Sequence, residues 1–84
     1  MPDAYATDIS AFDWLLGVIG RYHLKQIAEP VGLSIKRKKG RWYFSNKAGH
    51  SVSAREFHRL TQQDSQVRRW VYNLYMSYDK GGIA

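Results

Sequence analysis

Leu33-Ser34-Ile35-Lys36-Arg37-Lys38-Lys39-Gly40-Arg41-Trp42-Tyr43-Phe44 decides the fold. Five of the six residues from Lys36 to Arg41 are basic, and they surround one glycine. On either side of that glycine, polar and apolar residues alternate with the period of a strand. Leu33 and Ile35 share one face, while Ser34 and Lys36 take the other. Trp42 and Phe44 share a face, with Tyr43 opposite. Gly40 accepts the positive φ that a tight hairpin turn demands. The reading is a β-hairpin: one strand over Leu33–Arg37, a turn at Lys38-Lys39-Gly40, and a second strand over Arg41–Ser45.

Working outward, Asn46-Lys47-Ala48-Gly49 reads as a second turn, and His50–Ser53 as a short third strand with Val52 facing inward. Before the hairpin, Ile9, Phe12, Leu16 and Ile19 recur at helical spacing, with Leu15 and Tyr22 beside them. Leu24, Ile27 and Ala28 continue the stripe. This predicts one helix from about Asp8 or Ser10 to about Glu29, in which Gly17 and Gly20 permit either close approach of another element or a kink near Gly20-Arg21. Ser10 and Asp13 form an approximate capping box at its start. Pro30 disfavours helical geometry at Glu29 and so sets the end. After the hairpin, Ser53-Ala54-Arg55-Glu56 is a cleaner capping box, with Phe57 and Leu60 as core residues. Val67, Trp70, Val71, Leu74, Tyr75 and Tyr78 then give the strongest helical periodicity in the chain. Asp64 is either a fresh N-cap or a polar interruption, so residues 54–79 are one helix or two. Gly81-Gly82 reads as the final stop, and Tyr72 and Met76 are either surface-facing members of the last helix or large residues on the flanks of a small core.

The expected fold class is therefore α+β. A small antiparallel hairpin or three-stranded sheet packs against an N-terminal and a C-terminal helix, in the order α-β-β-(β)-α. Leu33, Ile35, Trp42, Phe44 and Val52 are its core-facing sheet residues. The 84 residues make a single small domain, with residues 1–7 as a flexible N-terminal arm or an edge segment that lies on the fold. A composition of 44% hydrophobic and 24% charged residues is that of a folded chain, not a disordered one. The chain has no cysteine, so neither a disulfide nor a thiolate–metal site staples it. The apolar run Trp14–Gly20 is too short to span a bilayer and follows acidic residues, so the expectation is a soluble, cytoplasmic protein with no membrane partner.

Charge points to the partner. Of the net +6, the span Leu33–Leu60 holds eight basic residues against Glu56, and the remainder of the chain is slightly acidic. A concentrated positive field attracts polyanions and speeds their capture. The candidate nucleic-acid-binding residues are Lys36, Arg37, Lys38, Lys39 and Arg41 on the hairpin. Lys47, Arg55 and Arg59 extend the track, the last two sharing a helix face at i, i+4. Tyr43 is the stacking candidate, because it points away from the Trp42/Phe44 face. Against this stands a plain alternative: lysine-rich hairpins also keep edge strands from pairing.

No motif fixes a reaction. His23, His50 and His58 lack metal-ligand spacing, and no phosphate loop or nucleophile elbow is present. The chain reads as a non-enzymatic nucleic-acid-binding module or small regulator with no cofactor and no metal. Two further readings stay open. One is a metal-free ribonuclease-type toxin using His50 or His58 with Arg55 and a tyrosine. The other is a protein-binding inhibitor that meets an acidic surface through the hairpin and last helix, with a homodimer through that helix as a variant.

Over Leu24–Leu60 the order of helix, Gly40-turned hairpin, third strand and closing helix resembles double-stranded-RNA-binding-like folds and the HicA toxin family. That family carries its functional histidine just after the hairpin glycine, where this chain has Arg41 and Trp42. The resemblance implies a surface suited to nucleic acid without the family's chemistry. Small, cysteine-free, aromatic-rich chains also resemble, in type, phage and mobile-element proteins such as anti-CRISPR inhibitors.

Overall fold

The computed structural model describes residues 5–79. Four helices and a three-stranded antiparallel sheet follow the order α1 (Ile9–Val18), α2 (Arg21–Ala28), a 3-10 turn (Glu29–Val31), β1 (Ser34–Lys38), β2 (Arg41–Ser45), β3 (Ser51–Val52), α3 (Ala54–Gln63) and α4 (Ser65–Asp79). The α+β class and the helix–sheet–helix layout match the sequence reading. The strands lie in the order β1-β2-β3, so the hairpin is the body of the sheet and β3 pairs only with its base.

The first helical segment is two helices, not one kinked helix. The chain is extended at Ile19 (φ −71°, ψ 143°) and at Gly20 (φ −86°, ψ 166°), and α2 restarts at Arg21. A tertiary contact holds this break: the Gly20 N–H donates to the Tyr78 hydroxyl at 3.2 Å, and His23 Nδ1 lies 3.0 Å from the same oxygen. The α1 cap also differs from the Ser10/Asp13 box. Asp8 is the N-cap, its carboxylate accepting from the Ala11 N–H at 2.8 Å, which satisfies one of the orphan donors of the first turn. The 3-10 turn takes in Pro30, and Gly32 closes it in the left-handed region at φ 80° before β1.

Asp64 resolves the last segment. Its side chain accepts from the N–H groups of Gln66 and Val67 at 2.9 and 3.1 Å, capping α4 afresh. Arg68 Nη1 donates to the Gln62 carbonyl at 2.5 Å, covering one of the carbonyls that the end of α3 leaves open. Residues 54–79 are therefore two helices. The Ser53 hydroxyl caps α3 as read, accepting from the Glu56 N–H at 3.1 Å. Gly81-Gly82 lies outside the described residues.

The core forms where the helices meet the inner face of the sheet. Phe57 is fully buried and touches both sides of it, edge-to-face with Phe12 of α1 at 5.1 Å and tilted against Phe44 of β2 at 4.8 Å. Such ring pairs add about 0.5–1.5 kcal/mol to the burial itself. Leu15, Ile19, Leu24, Ile27, Ala28, Leu33, Val67 and Val71 complete the centre, with Ile35, Trp42 and Val52 half-buried around it. The inner-face assignment of the sheet residues thus holds. Trp70 does not fit its place in the apolar stripe, for it is 38% exposed. Tyr72 and Met76 are both half-buried, which fits the core-flank reading, and the Tyr72 ring meets Tyr5 edge-to-face at 5.3 Å.

Of the two readings of residues 1–7, the part described matches the segment that lies on the fold. The Thr7 N–H donates to Gln62 Oε1 at 3.2 Å, and His58 Nε2 donates to the Thr7 carbonyl at 2.6 Å. No described helix is long and apolar enough to cross a membrane.

Candidate nucleic-acid interface

The turn comes first. Lys39 and Gly40 are its two central residues, with φ of 52° and 78°. Positive φ at both positions is the primed turn whose twist matches two antiparallel strands. It closes a register in which Lys38 faces Arg41, Arg37 faces Trp42, Lys36 faces Tyr43, Ile35 faces Phe44 and Ser34 faces Ser45. Period-two alternation then sorts the cations. Lys36, Lys38 and Arg41 join Tyr43, Ser34 and Ser45 on the face turned away from the helices. Lys36, Lys38, Arg41 and Ser34 are exposed there, and Tyr43 is 51% exposed. Lys39 stands at the tip.

Arg37 falls on the other face. Its guanidinium lies over the Trp42 ring at 4.7 Å, and Arg21 from α2 lies over the same ring at 5.3 Å. Each such contact contributes about 0.5–1 kcal/mol at an exposed site. Arg37 therefore braces the hairpin from behind, while its four basic neighbours are presented in front or at the tip.

Arg55 and Arg59 are not part of that surface. They sit half a helical turn from Phe57, whose ring meets the sheet, so they face away from it. Both line a shallow hollow with Asp8, Ile9, His58, Gln62 and Gln63. Arg59 is also engaged. Its Nε donates to Glu56 Oε1 at 2.8 Å, and Nη2 donates to Glu56 Oε2. Those hydrogen bonds, with the charge attraction, hold the Glu56 carboxyl below its ordinary range and raise the Arg59 guanidinium. Lys47 sits in the β2–β3 turn at the base of the hairpin, with its Cε close to Gly32. That turn is built by Asn46, whose side chain accepts from the N–H groups of Ala48 and His50 at 3.0 Å each. The expected track from the hairpin through Lys47 to Arg55 and Arg59 is thus split between two sides of the molecule.

The hairpin cations contrast with Arg59. Among the described residues no carboxylate lies within ion-pair distance of Lys36, Lys38, Lys39 or Arg41; the ion pair found there joins Arg59 and Glu56. Lys38 and Arg41 stand directly opposite each other, and like charges so placed are destabilising. Folding brings like charges together here, with Asp13 of α1 lining the same hollow as Arg37 and Arg41.

The histidines do not converge. His58 is occupied by the Thr7 carbonyl and packs against Phe12 at 5.3 Å, which makes it a pin for the N-terminal segment. His50 is exposed in the β2–β3 loop. Among the described residues no group of three metal-ligating side chains comes together. Sequence reasoning passed over Arg21 and Lys25. Their i, i+4 spacing puts them on one side of α2, where they line a hollow beside β1 with Ser34 and Ile35, and Glu29 tempers their charge. It also passed over Ser34 and Ser45, short hydroxyl donors next to the cations. Comparison of the chain with protein-family models, curated proteins and solved structures gives no match.

Proposed function

We propose that this chain is a non-enzymatic nucleic-acid-binding module, a small regulator that grips the phosphodiester backbone with the outer face and tip of its hairpin. One observation carries the reading: Lys36, Lys38, Lys39 and Arg41 stand together with no described carboxylate within ion-pair distance, on or beside a sheet face that no helix covers. A charged surface that merely keeps a protein soluble mixes the two signs. A surface of one sign, held together by cross-strand register against its own repulsion, suits a ligand of the opposite sign. Lys and Arg neutralise phosphates and release their counterions, which gives affinity with little sequence preference. Tyr43 sits among the cations and supplies a flat ring and a hydroxyl. Replacing Lys38 and Lys39 together by Glu abolishes binding to a generic duplex or single strand in a gel-shift series. Binding that survives this change would overturn the reading.

A second reading is a protein-binding inhibitor, akin in type to phage proteins that block a host complex. Its support is the exposed Trp70, which shares the outer side of α4 with Arg69 and Asn73, because aromatic and arginine side chains anchor interfaces. An acidic protein surface is the partner this reading requires. A discrete protein that stays bound after nuclease treatment of a lysate, and is lost on Trp70→Ala, would favour it over the first.

A further inference from the structure

We infer that the hairpin enters the major groove of duplex DNA, in preference to single strands or duplex RNA. This inference rests on the nucleic-acid reading above and adds which form is bound and how. Three features of the sheet carry it.

The first is width. β3 pairs only with Phe44 and Ser45, at the base of β2. The pairs Lys36↔Tyr43, Arg37↔Trp42 and Lys38↔Arg41 extend past it as a two-stranded ribbon. Paired strands lie about 4.8 Å apart. The major groove of B-form DNA, about 12 Å wide, admits such a ribbon with its side chains. The major groove of A-form RNA is deep and narrow, and side chains do not read it.

The second is pitch. Outward-facing pairs recur every second residue, so Lys36/Tyr43 and Lys38/Arg41 are separated by about 6.7 Å along the ribbon. Successive bases of a B-form strand rise by about 3.4 Å. The two outward pairs therefore span about two base steps, and Ser34 and Ser45 lie behind them at the base, where β3 joins the sheet. The donors are of the right kind: Lys and Arg reach the O6 and N7 acceptors of guanine, and serine serves any base. Arg37 and Arg21, stacked on Trp42 behind the ribbon, stiffen it and keep the helices on the side away from the groove.

The third is the aromatic count. Surfaces that hold unpaired strands stack successive bases on several rings. Among the described residues the outward face of the sheet holds one ring, that of Tyr43. A face with three cations and one ring suits a groove lined by phosphates better than it suits a row of splayed bases.

The test uses the full chain and three probes of one mixed sequence about two helical turns long: duplex DNA, duplex RNA and single-stranded DNA. Fluorescence anisotropy at one fixed salt concentration gives the affinities. Dimethyl sulfate footprinting of the DNA duplex then reports guanine N7, in the major groove, against adenine N3, in the minor groove. The expected result is DNA-duplex binding at least tenfold tighter than either other probe, with N7 protected and N3 still reactive. Equal or tighter binding of duplex RNA or the single strand overturns the groove inference and leaves the nucleic-acid reading standing. Protection of N3 without N7 does the same. Failure to bind any of the three probes overturns both.

Discussion

Salt dependence separates the surface described here from a diffuse basic patch. Each phosphate neutralised on B-form DNA contributes about −0.9 to the slope of log affinity against log salt. The outer face and tip of the hairpin present Lys36, Lys38, Lys39 and Arg41, while Arg37 is turned inward over Trp42 and Arg59 is held by Glu56. Four contacts give a slope of about −3.6, or about a 150-fold loss of affinity between 50 and 200 mM salt. Changing Lys38 and Arg41 to Gln halves the slope to about −1.8 and the loss to about 12-fold. Changing Arg55 and Arg59 to Gln leaves the slope as it was. The assay is an anisotropy titration of the three proteins at five salt concentrations. A wild-type slope near −7 would mean that all eight basic residues from Lys36 to Arg59 touch phosphate. That result, or an Arg55/Arg59 variant that loses as much slope as Lys38/Arg41, would refute the division of the charge between two sides.

Two further substitutions test the elements that hold the site. Lys39 occupies the left-handed region at φ 52°, where a residue with a Cβ is disfavoured by roughly 1–2 kcal/mol. Lys39→Asn relieves part of that cost in the turn type that favours Asn-Gly, so thermal unfolding moves up by a few degrees, while the salt slope weakens by about 0.9. Asp64→Ala removes the acceptor for two N–H groups at the start of α4. It costs about 1 kcal/mol, seen as a midpoint lower by about 4–8 °C in circular dichroism, with DNA affinity unchanged below the midpoint. An unchanged midpoint would show that the carboxylate does not cap the helix.

The hairpin was legible because three independent signals agree there: strand alternation, a glycine at the turn, and the switch to apolar residues on one face. The observed β2 spans the same residues as the reading, and β1 is displaced by one. The α3 cap was legible for a similar reason, since Ser53 binds its partner three residues on. The break at Ile19-Gly20 was not, because the apolar stripe runs across it. What holds it is Tyr78, 58 residues away in sequence, and no local pattern carries that distance. Trp70 misled because helical spacing puts it next to Val71 without saying how wide a face is covered. The basic residues were found as a set, but their division was not. Arg37 could be placed behind the hairpin by parity alone, as Trp42 was. The separation of Arg55 and Arg59 depends on how α3 docks through Phe57.

The most direct test of the central claim is a titration of isotopically labelled protein with a short DNA duplex, followed by amide nuclear magnetic resonance. The expected shifts are concentrated at Ser34, Lys36, Lys38 to Arg41, Tyr43 and Ser45, with the Arg55–Gln63 stretch of α3 and the α4 helix unmoved. Shifts centred on Arg55 and Arg59, or on Trp70, with the hairpin silent, would contradict it.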